Sequence, residues 1–202
     1  MDDLLRSMEE YAALRTIPVI GRDGAALLAA TVAEAGPRTI LEIGTAIGYS
    51  TLLMAERAPN DAVITTIEVD AERAAAAAAF FRRSRHAGRI DLLVGDAAAI
   101  LPVLGGTYDF LFIDAAKAHY LDYLAKAMDK LRPGAVVFAD NVYFYGLVTA
   151  ERPPRRMRTL VKRMRAYLDF VNSDARFATT VHPIGDGIAI SRFQGDDTNA
   201  HS

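Results

Sequence analysis

The stretch Ile40-Leu41-Glu42-Ile43-Gly44-Thr45-Ala46-Ile47-Gly48-Tyr49-Ser50 reads as a buried strand that runs through a glycine turn into a helix. Such a turn makes a pocket, because glycines at 44 and 48 let the backbone come close to a ligand. Glu42 puts a carboxylate at the strand's end, where it repels a phosphate and attracts a cationic amine or sulfonium. The spacing from Gly44 to Gly48 is G-x-x-x-G, neither the G-x-G-x-x-G of a dinucleotide site nor a P-loop. Two glycines after a strand fit a bare tight connection equally well. The next unit adds a second ligand signal. Val63-Ile64-Thr65-Thr66-Ile67-Glu68 is again an apolar strand ending in an acid, roughly 20 residues past the first glycine, where an acid takes a ribose diol.

Outward from these two units, strands and helices alternate. Strands are expected at 38–43, 63–68, 90–94, 108–113 and 135–139, with helices at 48–57, 71–84, 97–102, 118–131 and 154–172. The alternation implies parallel pairing. Two closing strands, near 177–182 and 187–193, are joined by Gly185-Asp186-Gly187, short enough for a hairpin, so the sheet is expected to end with one antiparallel strand. The alanine run 74–79, flanked by Glu72, Arg73, Phe80 and Phe81, is a strong helix former rather than low complexity. The fold expected is α/β and Rossmann-like: seven strands, mostly parallel, helices on both faces. In such a sheet ligands sit at the carboxyl ends of the strands, which gathers Glu42, Glu68, Asp96, Asp114 and Asp140 on one edge.

Length and composition set outer bounds. A chain of 202 residues with 51% hydrophobic content suits one globular domain, expected over 1–193, with a disordered polar tail over 194–202. A net charge of -2 gives no global pull toward nucleic acid, although an average can hide a local patch. Without cysteine the chain has no disulfides, thiolate ligands or cysteine nucleophile, which fits a reducing cytoplasm. No apolar run approaches the roughly 18 to 20 residues that span a bilayer, and the acidic Met1-Asp2-Asp3 is unlike a signal peptide. A soluble, cytoplasmic protein is expected.

Asp114 ends the apolar strand Phe110-Leu111-Phe112-Ile113, and Asp140-Asn141 ends Val136-Val137-Phe138-Ala139. Two carboxylates and an amide oxygen make an all-oxygen donor set that suits a hard divalent cation such as Mg²⁺. Taken singly, each of these residues also fits a plain helix or turn cap. Lys117, three residues after Asp114, stands at the mouth of the same crevice. A neighbouring divalent cation would disfavour its ammonium form and prepare it to accept a hydroxyl proton. Without such neighbours it is a solvated charge.

Glu42 through Ser50, Ile113-Asp114-Ala115-Ala116-Lys117 and Asp140-Asn141-Val142 together resemble the metal-dependent class I O-methyltransferases, which include catechol and caffeoyl-CoA enzymes. The resemblance runs to about Phe193. It implies S-adenosylmethionine (SAM) as cofactor, with Gly44 and Ser50 at its methionine end, Glu68 on the ribose hydroxyls, Asp96 and Ala97 facing the adenine, Asp114 also bordering the cofactor, and Val19 near it as part of a lid. It implies Asp114, Asp140 and Asn141 as ligands of Mg²⁺ or another divalent cation, and Lys117 as general base. An aryl or enol oxygen then attacks the methyl carbon in line, without a covalent enzyme intermediate. The segment Thr16 to Gly24 is shorter than the amino-terminal extension usual in relatives, which bears on how far the lid closes. Relatives commonly pair as homodimers.

Arg152, Arg155, Arg156, Arg158, Lys162, Arg163 and Arg165 form a dense basic run beside the expected crevice. Such a run suits a phosphate backbone, and it equally suits a solvated helix face. With Gly146-Leu147-Val148 and Pro183 to Ser191, the run looks most like a bacterial branch of the family that methylates 5-hydroxyuridine at the tRNA wobble position. That resemblance implies tRNA as substrate, with Arg155, Arg156 and Arg158 on its phosphates. The 5-hydroxyl beside the O4 carbonyl can chelate a metal as a catechol does. A small catechol-like or phenolic metabolite is the alternative acceptor, and a non-catalytic SAM- or RNA-binding module the alternative of another class. Tyr143, Phe144 and Tyr145 could stack on a base or serve as core or dimer packing. His86, His119, His182 and His201 lack metal-ligand spacing and are read as surface or packing residues, like the methionines.

Overall fold

The computed structural model describes residues 2–195; the expected tail from 196 to 202 lies outside the described residues. Seven strands, β1 (Thr39–Ile43), β2 (Val63–Glu68), β3 (Ile90–Val94), β4 (Tyr108–Ile113), β5 (Leu131–Asp140), β6 (Phe177–His182) and β7 (Ile188–Phe193), form one sheet of order β3-β2-β1-β4-β5-β7-β6. The strands β1 to β5 pair in parallel, and β7 runs antiparallel to both β5 and β6. The expected antiparallel strand is therefore β7, inserted one place in from the edge.

Hydrophobic runs explain the centre. Phe110, Leu111, Phe112 and Ile113 on β4, and Val137, Phe138 and Ala139 on β5, are wholly buried, as strands covered on both faces should be. On one face α1 (Asp2–Arg15), α2 (Arg22–Ala35), α3 (Tyr49–Arg57) and α4 (Ala71–Arg83) pack around Phe110, Phe112 and Phe138. On the other α5 (Ala97–Ile100), α6 (Tyr120–Ala127) and α7 (Arg158–Ser173) cover Leu111, Ile113 and Val137. Each large apolar side chain so enclosed contributes about 1.5 to 3 kcal/mol.

Several element ends differ from the sequence reading for local reasons. The helix expected at 118–131 is an α-helix only over α6, with 3₁₀ turns at Lys117–His119 and Met128–Lys130. The helix expected from 154 begins as a 3₁₀ turn at Arg155–Met157, because Pro153 and Pro154 fix φ and supply no amide. Strand β5 starts at Leu131 rather than 135. Its pairing with β4 jumps from Tyr108↔Leu131 to Phe110↔Val136, so Pro133-Gly134 forms a bulge within the strand. Asp70 caps α4 by accepting from the amides of Glu72 and Arg73. Among the described residues no helix is long and apolar enough to cross a membrane.

Candidate active site

Because β1 to β5 are parallel, their carboxyl ends open on one edge, and the loops that follow them build the site. Gly44 leaves β1 with φ +101°, and a Cβ there would stand 2.1 Å from the Asp114 carbonyl oxygen. Gly48 has φ +84°, and its Cβ would stand 2.3 Å from Cε1 of Phe81. Steric closeness to β4 and α4 thus requires both glycines. The alanine run lets α4 approach, with Ala74 and Ala77 buried against the neighbouring core. Between the glycines Ala46 takes φ +46°, and its amide donates to Glu68 Oε2 at 2.7 Å. Glu68 Oε1 accepts from the Asp70 amide at 2.9 Å. Glu68 is therefore a buried bridge between the turn after β1 and the turn after β2.

One expectation is corrected at Glu42. Its side chain does not face the crevice: it is wholly buried, and its carboxylate accepts from the hydroxyls of Ser50 (2.5 Å), Thr51 and Thr66 (2.6 Å). Thr66 in turn contacts the Thr45 hydroxyl at 2.6 Å. Burial pushes the Glu42 carboxyl up to about 7; the three hydroxyls oppose that push and Asp114 adds to it. Glu42 braces the glycine turn from beneath, with the Ser50 hydroxyl donating its hydrogen bond to the Glu42 carboxylate. At the adjoining strand end Asp96 caps α5 by accepting from the Ala98 amide at 2.9 Å, and Ala97 is buried. Val19 is half-buried and packs on the core, just before the buried Ile20.

At the ends of β4 and β5 the structure brings four of the expected residues together. Lys117 Nζ donates to Asp114 Oδ1 at 2.7 Å and lies 3.4 Å from both Asn141 Oδ1 and the Asp140 carbonyl oxygen. Asn141 has φ +56°, and its amide donates to Asp140 Oδ1 at 2.8 Å. A left-handed non-glycine residue at such a position is stored strain of the kind found at functional sites. The Asp140 carboxyl, 4% exposed, is pushed up to about 6 by its burial and by the nearby Asp114 carboxylate. Among the described residues no three His, Cys, Asp or Glu side chains converge for a metal. A cation here would draw on the carboxylates of Asp114 and Asp140 and on the side-chain oxygen of Asn141. That donor set fits a hard divalent cation. In this structure the Lys117 ammonium occupies the space between the Asp114 and Asn141 oxygens.

Tyr120 was not legible as a site residue. Its buried hydroxyl accepts from Lys117 Nζ at 2.6 Å and donates to the Asp140 carbonyl at 2.9 Å. Burial, with Asp114 and Asp140 nearby, keeps that phenol protonated by raising its pKa well above the usual value. The i, i+3 spacing from Lys117 was the one available signal.

Part of the basic run is engaged by backbone carbonyls. Arg165 donates to the carbonyls of Val148 (2.8 Å) and Ala150 (2.6 Å), and Arg158 Nε reaches that of Pro153 at 3.4 Å, so these tether the chain before α7. Arg155, Arg156 and Arg158 are exposed. Among the described residues none of the seven bases has an acidic partner in an ion pair. Arg152, Arg158, Lys162 and Arg165 line a cleft of about 380 Å³ with Glu151. Of the three aromatics, Tyr143 lies over Gly187, Phe144 is half-buried, and Tyr145 is 84% exposed. His86 is a buried packing residue held by Glu56 and Arg89, while His201 lies outside the described residues.

An open sheet of this order, with a glycine turn after β1 and acids at the ends of β2, β4 and β5, defines a Rossmann-like methyltransferase fold. A solved structure of the O-methyltransferase TomG from Streptomyces achromogenes, involved in tomaymycin synthesis and in complex with SAM, superposes with a TM-score of 0.87 at 28% identity, covering 96% of this chain and 91% of that one. The family model for O-methyltransferase matches residues 2–193. The chain is 34% identical over 162 residues to a catechol O-methyltransferase of Niastella koreensis, covering 76% of this chain and 72% of the relative. It is 29% identical over 185 residues to a caffeoyl-CoA O-methyltransferase of Stellaria longipes, covering 88% and 75%. The chain belongs to the O-methyltransferase family, as an enzyme of the SAM-dependent class.

Proposed function

We propose that the protein transfers the methyl group of SAM to a hydroxyl of a small catechol-like or phenolic acceptor, using a divalent cation held by Asp114, Asp140 and Asn141. The convergence of Asp114, Asn141 and Lys117 beside the glycine turn carries this reading, and the catechol and caffeoyl-CoA relatives support the acceptor class. The turn from Gly44 to Ser50, with Glu68, Asp96 and Ala97 on the neighbouring strand ends and Val19 above, receives the cofactor. A bound cation supplies acidification of the acceptor hydroxyl. With a bound cation disfavouring its ammonium form, Lys117 in its neutral form would take the hydroxyl proton, and Tyr120 holds the lysine in place. The acceptor oxygen forms its bond to the methyl carbon as the carbon–sulfur bond breaks, leaving a neutral thioether, so most of the work is deprotonation and alignment.

A second reading, methylation of 5-hydroxyuridine at the tRNA wobble position, is favoured by one observation: among the described residues the basic run forms no ion pair with an acid, and four of its bases line the cleft that they share with Glu151. In that reading Arg155, Arg156 and Arg158 meet phosphates. Under either reading we propose residues 1–193 as the working domain and, from the resemblance alone, a cytoplasmic homodimer, with sedimentation as the check on assembly. A module without catalysis is disfavoured by the intact Asp114, Lys117, Asp140 and Asn141. The test is methyl transfer from labelled SAM, with and without Mg²⁺, to a catechol and in parallel to tRNA bearing unmethylated 5-hydroxyuridine. Metal-dependent labelling of the catechol alone upholds the main reading and leaves the arginines as a solvated face. Labelling of the tRNA nucleoside alone transfers the assignment to the second reading. Asp140→Ala should abolish turnover and spare SAM binding; full activity of that variant in chelator would remove the cation from the mechanism.

A further inference from the structure

The loop after Asn141 is held in a conformation it would not keep by itself. Phe144 and Tyr145 have φ of +48° and +56°, followed by Gly146 at +70°, so three successive residues are left-handed, two of them with side chains. This series directs the amides of Tyr145 and Gly146 toward one point, a backbone nest of the kind that binds anions. The anion there is a side chain of this chain. Asp186, half-buried in the turn between β6 and β7, accepts from the Tyr145 amide through Oδ2 at 2.6 Å and from the Gly146 amide through Oδ1 at 3.2 Å.

Backbone bonds extend the same attachment. The Asp186 carbonyl accepts from the Tyr143 amide at 2.8 Å, and the Gly187 carbonyl accepts from the Val142 amide at 2.9 Å. The Tyr143 ring lies where a Cβ at Gly187 would be, 2.5 Å away at its nearest atom, so residue 187 admits only glycine while the ring stays. At the far flank Arg165 holds the carbonyls of Val148 and Ala150. The residues between these anchors begin at Asn141, whose side-chain oxygen faces Lys117, and include the exposed Tyr145.

We propose that Asp186 is a positioning residue for acceptor binding: its carboxylate fixes the 141–148 loop so that Asn141 and the exposed side of the loop meet the acceptor, while the cofactor side, built on β1 and β2, does not depend on it. The inference rests on the methyltransferase reading for its kinetic part and stands alone for its structural part. The test is Asp186→Ala, with Asp186→Asn, which keeps one acceptor oxygen, as the milder variant. Amide hydrogen exchange at Tyr145 and Gly146 should quicken about tenfold or more in the alanine variant, as expected for loss of a charge-assisted hydrogen bond, while the β5 amides stay protected. The KM for a catechol acceptor should rise about tenfold, less in the asparagine variant, with SAM affinity held within about twofold. Unchanged exchange at the two amides overturns the clamp, whichever acceptor the enzyme uses. Faster exchange with an unaltered acceptor KM, or a parallel fall in SAM affinity, overturns its role in acceptor binding. A wild-type enzyme inactive on every catechol refutes the proposed acceptor instead, and the exchange measurement still decides on the clamp.

Discussion

Replacing Glu42 by glutamine separates the charge of this buried carboxyl from its shape. In the folded chain the group is fully enclosed and its pKa stands at about 7, against an ordinary 4.5. Between those values the folded chain binds a proton that the unfolded chain has released, so this group's contribution to stability is fully present below pH 4.5 and is lost as pH rises toward 7. At about 1.4 kcal/mol per pH unit the loss is on the order of 3 kcal/mol, a sizeable part of the net stability of a typical domain. Glutamine has nearly the same volume, can keep its oxygen on the Thr51 and Thr66 hydroxyls while its amide donates to the Ser50 oxygen, and does not titrate. Urea unfolding of both chains at several pH values between about 4.5 and 7.5 isolates the effect, because the other titrating groups are common to the two and cancel in the difference. The stability of Glu42→Gln relative to the parent should climb by about 3 kcal/mol across that window. Parallel curves would refute the reasoning, since they would mean that the three hydroxyls stabilise the carboxylate as well as water does.

Gly44→Ala should cost more than about 2 kcal/mol in thermal or urea unfolding, because φ is positive and the new methyl meets the Asp114 carbonyl, a backbone atom that cannot step aside. Tyr120→Phe removes one acceptor from the Lys117 ammonium and one donor to Asp140; a loss of about 1.5 to 3 kcal/mol of positioning predicts a fall in kcat of about 10- to 100-fold, with KM for SAM unaltered. Asp109 is held below the usual carboxylate range: burial works against this, and Arg132 with the amides of Arg38 and Thr39 outweighs it. Its stabilisation is therefore present near neutrality and fades as pH falls, so Asp109→Ala should lose about 1 to 3 kcal/mol near neutral pH and show a flatter acid limb in a pH series of melts.

The strands were legible because fully buried runs such as Phe110 to Ile113 look alike in sequence and in space. What was lost at the element ends came from tertiary contacts. Lys117, drawn to Asp114 and Asn141, sits in a 3₁₀ turn ahead of α6, and nothing in the local sequence carries that information. The acids at the strand ends could be gathered on one edge from topology alone, yet whether each faces ligand or protein depended on distant partners. Glu42 turns inward because Ser50, Thr51 and Thr66, from two other elements, offer it three hydroxyls. Asp186 looked like a turn residue between glycines, which it is; its two bonds to residues some forty positions earlier in the chain had no local signature.

The insertion of β7 between β5 and β6 has a consequence for synthesis. Until residues 188–193 leave the ribosome, Val136 to Asp140 form an apolar sheet edge with no strand to cover it. An uncovered apolar edge is a template for pairing with other chains. The residues that seal this edge are reached through the same turn that delivers Asp186 to the 141–148 loop. Nascent chains halted before β7 should therefore be both inactive and prone to aggregate, and one docking step late in synthesis should end both conditions together.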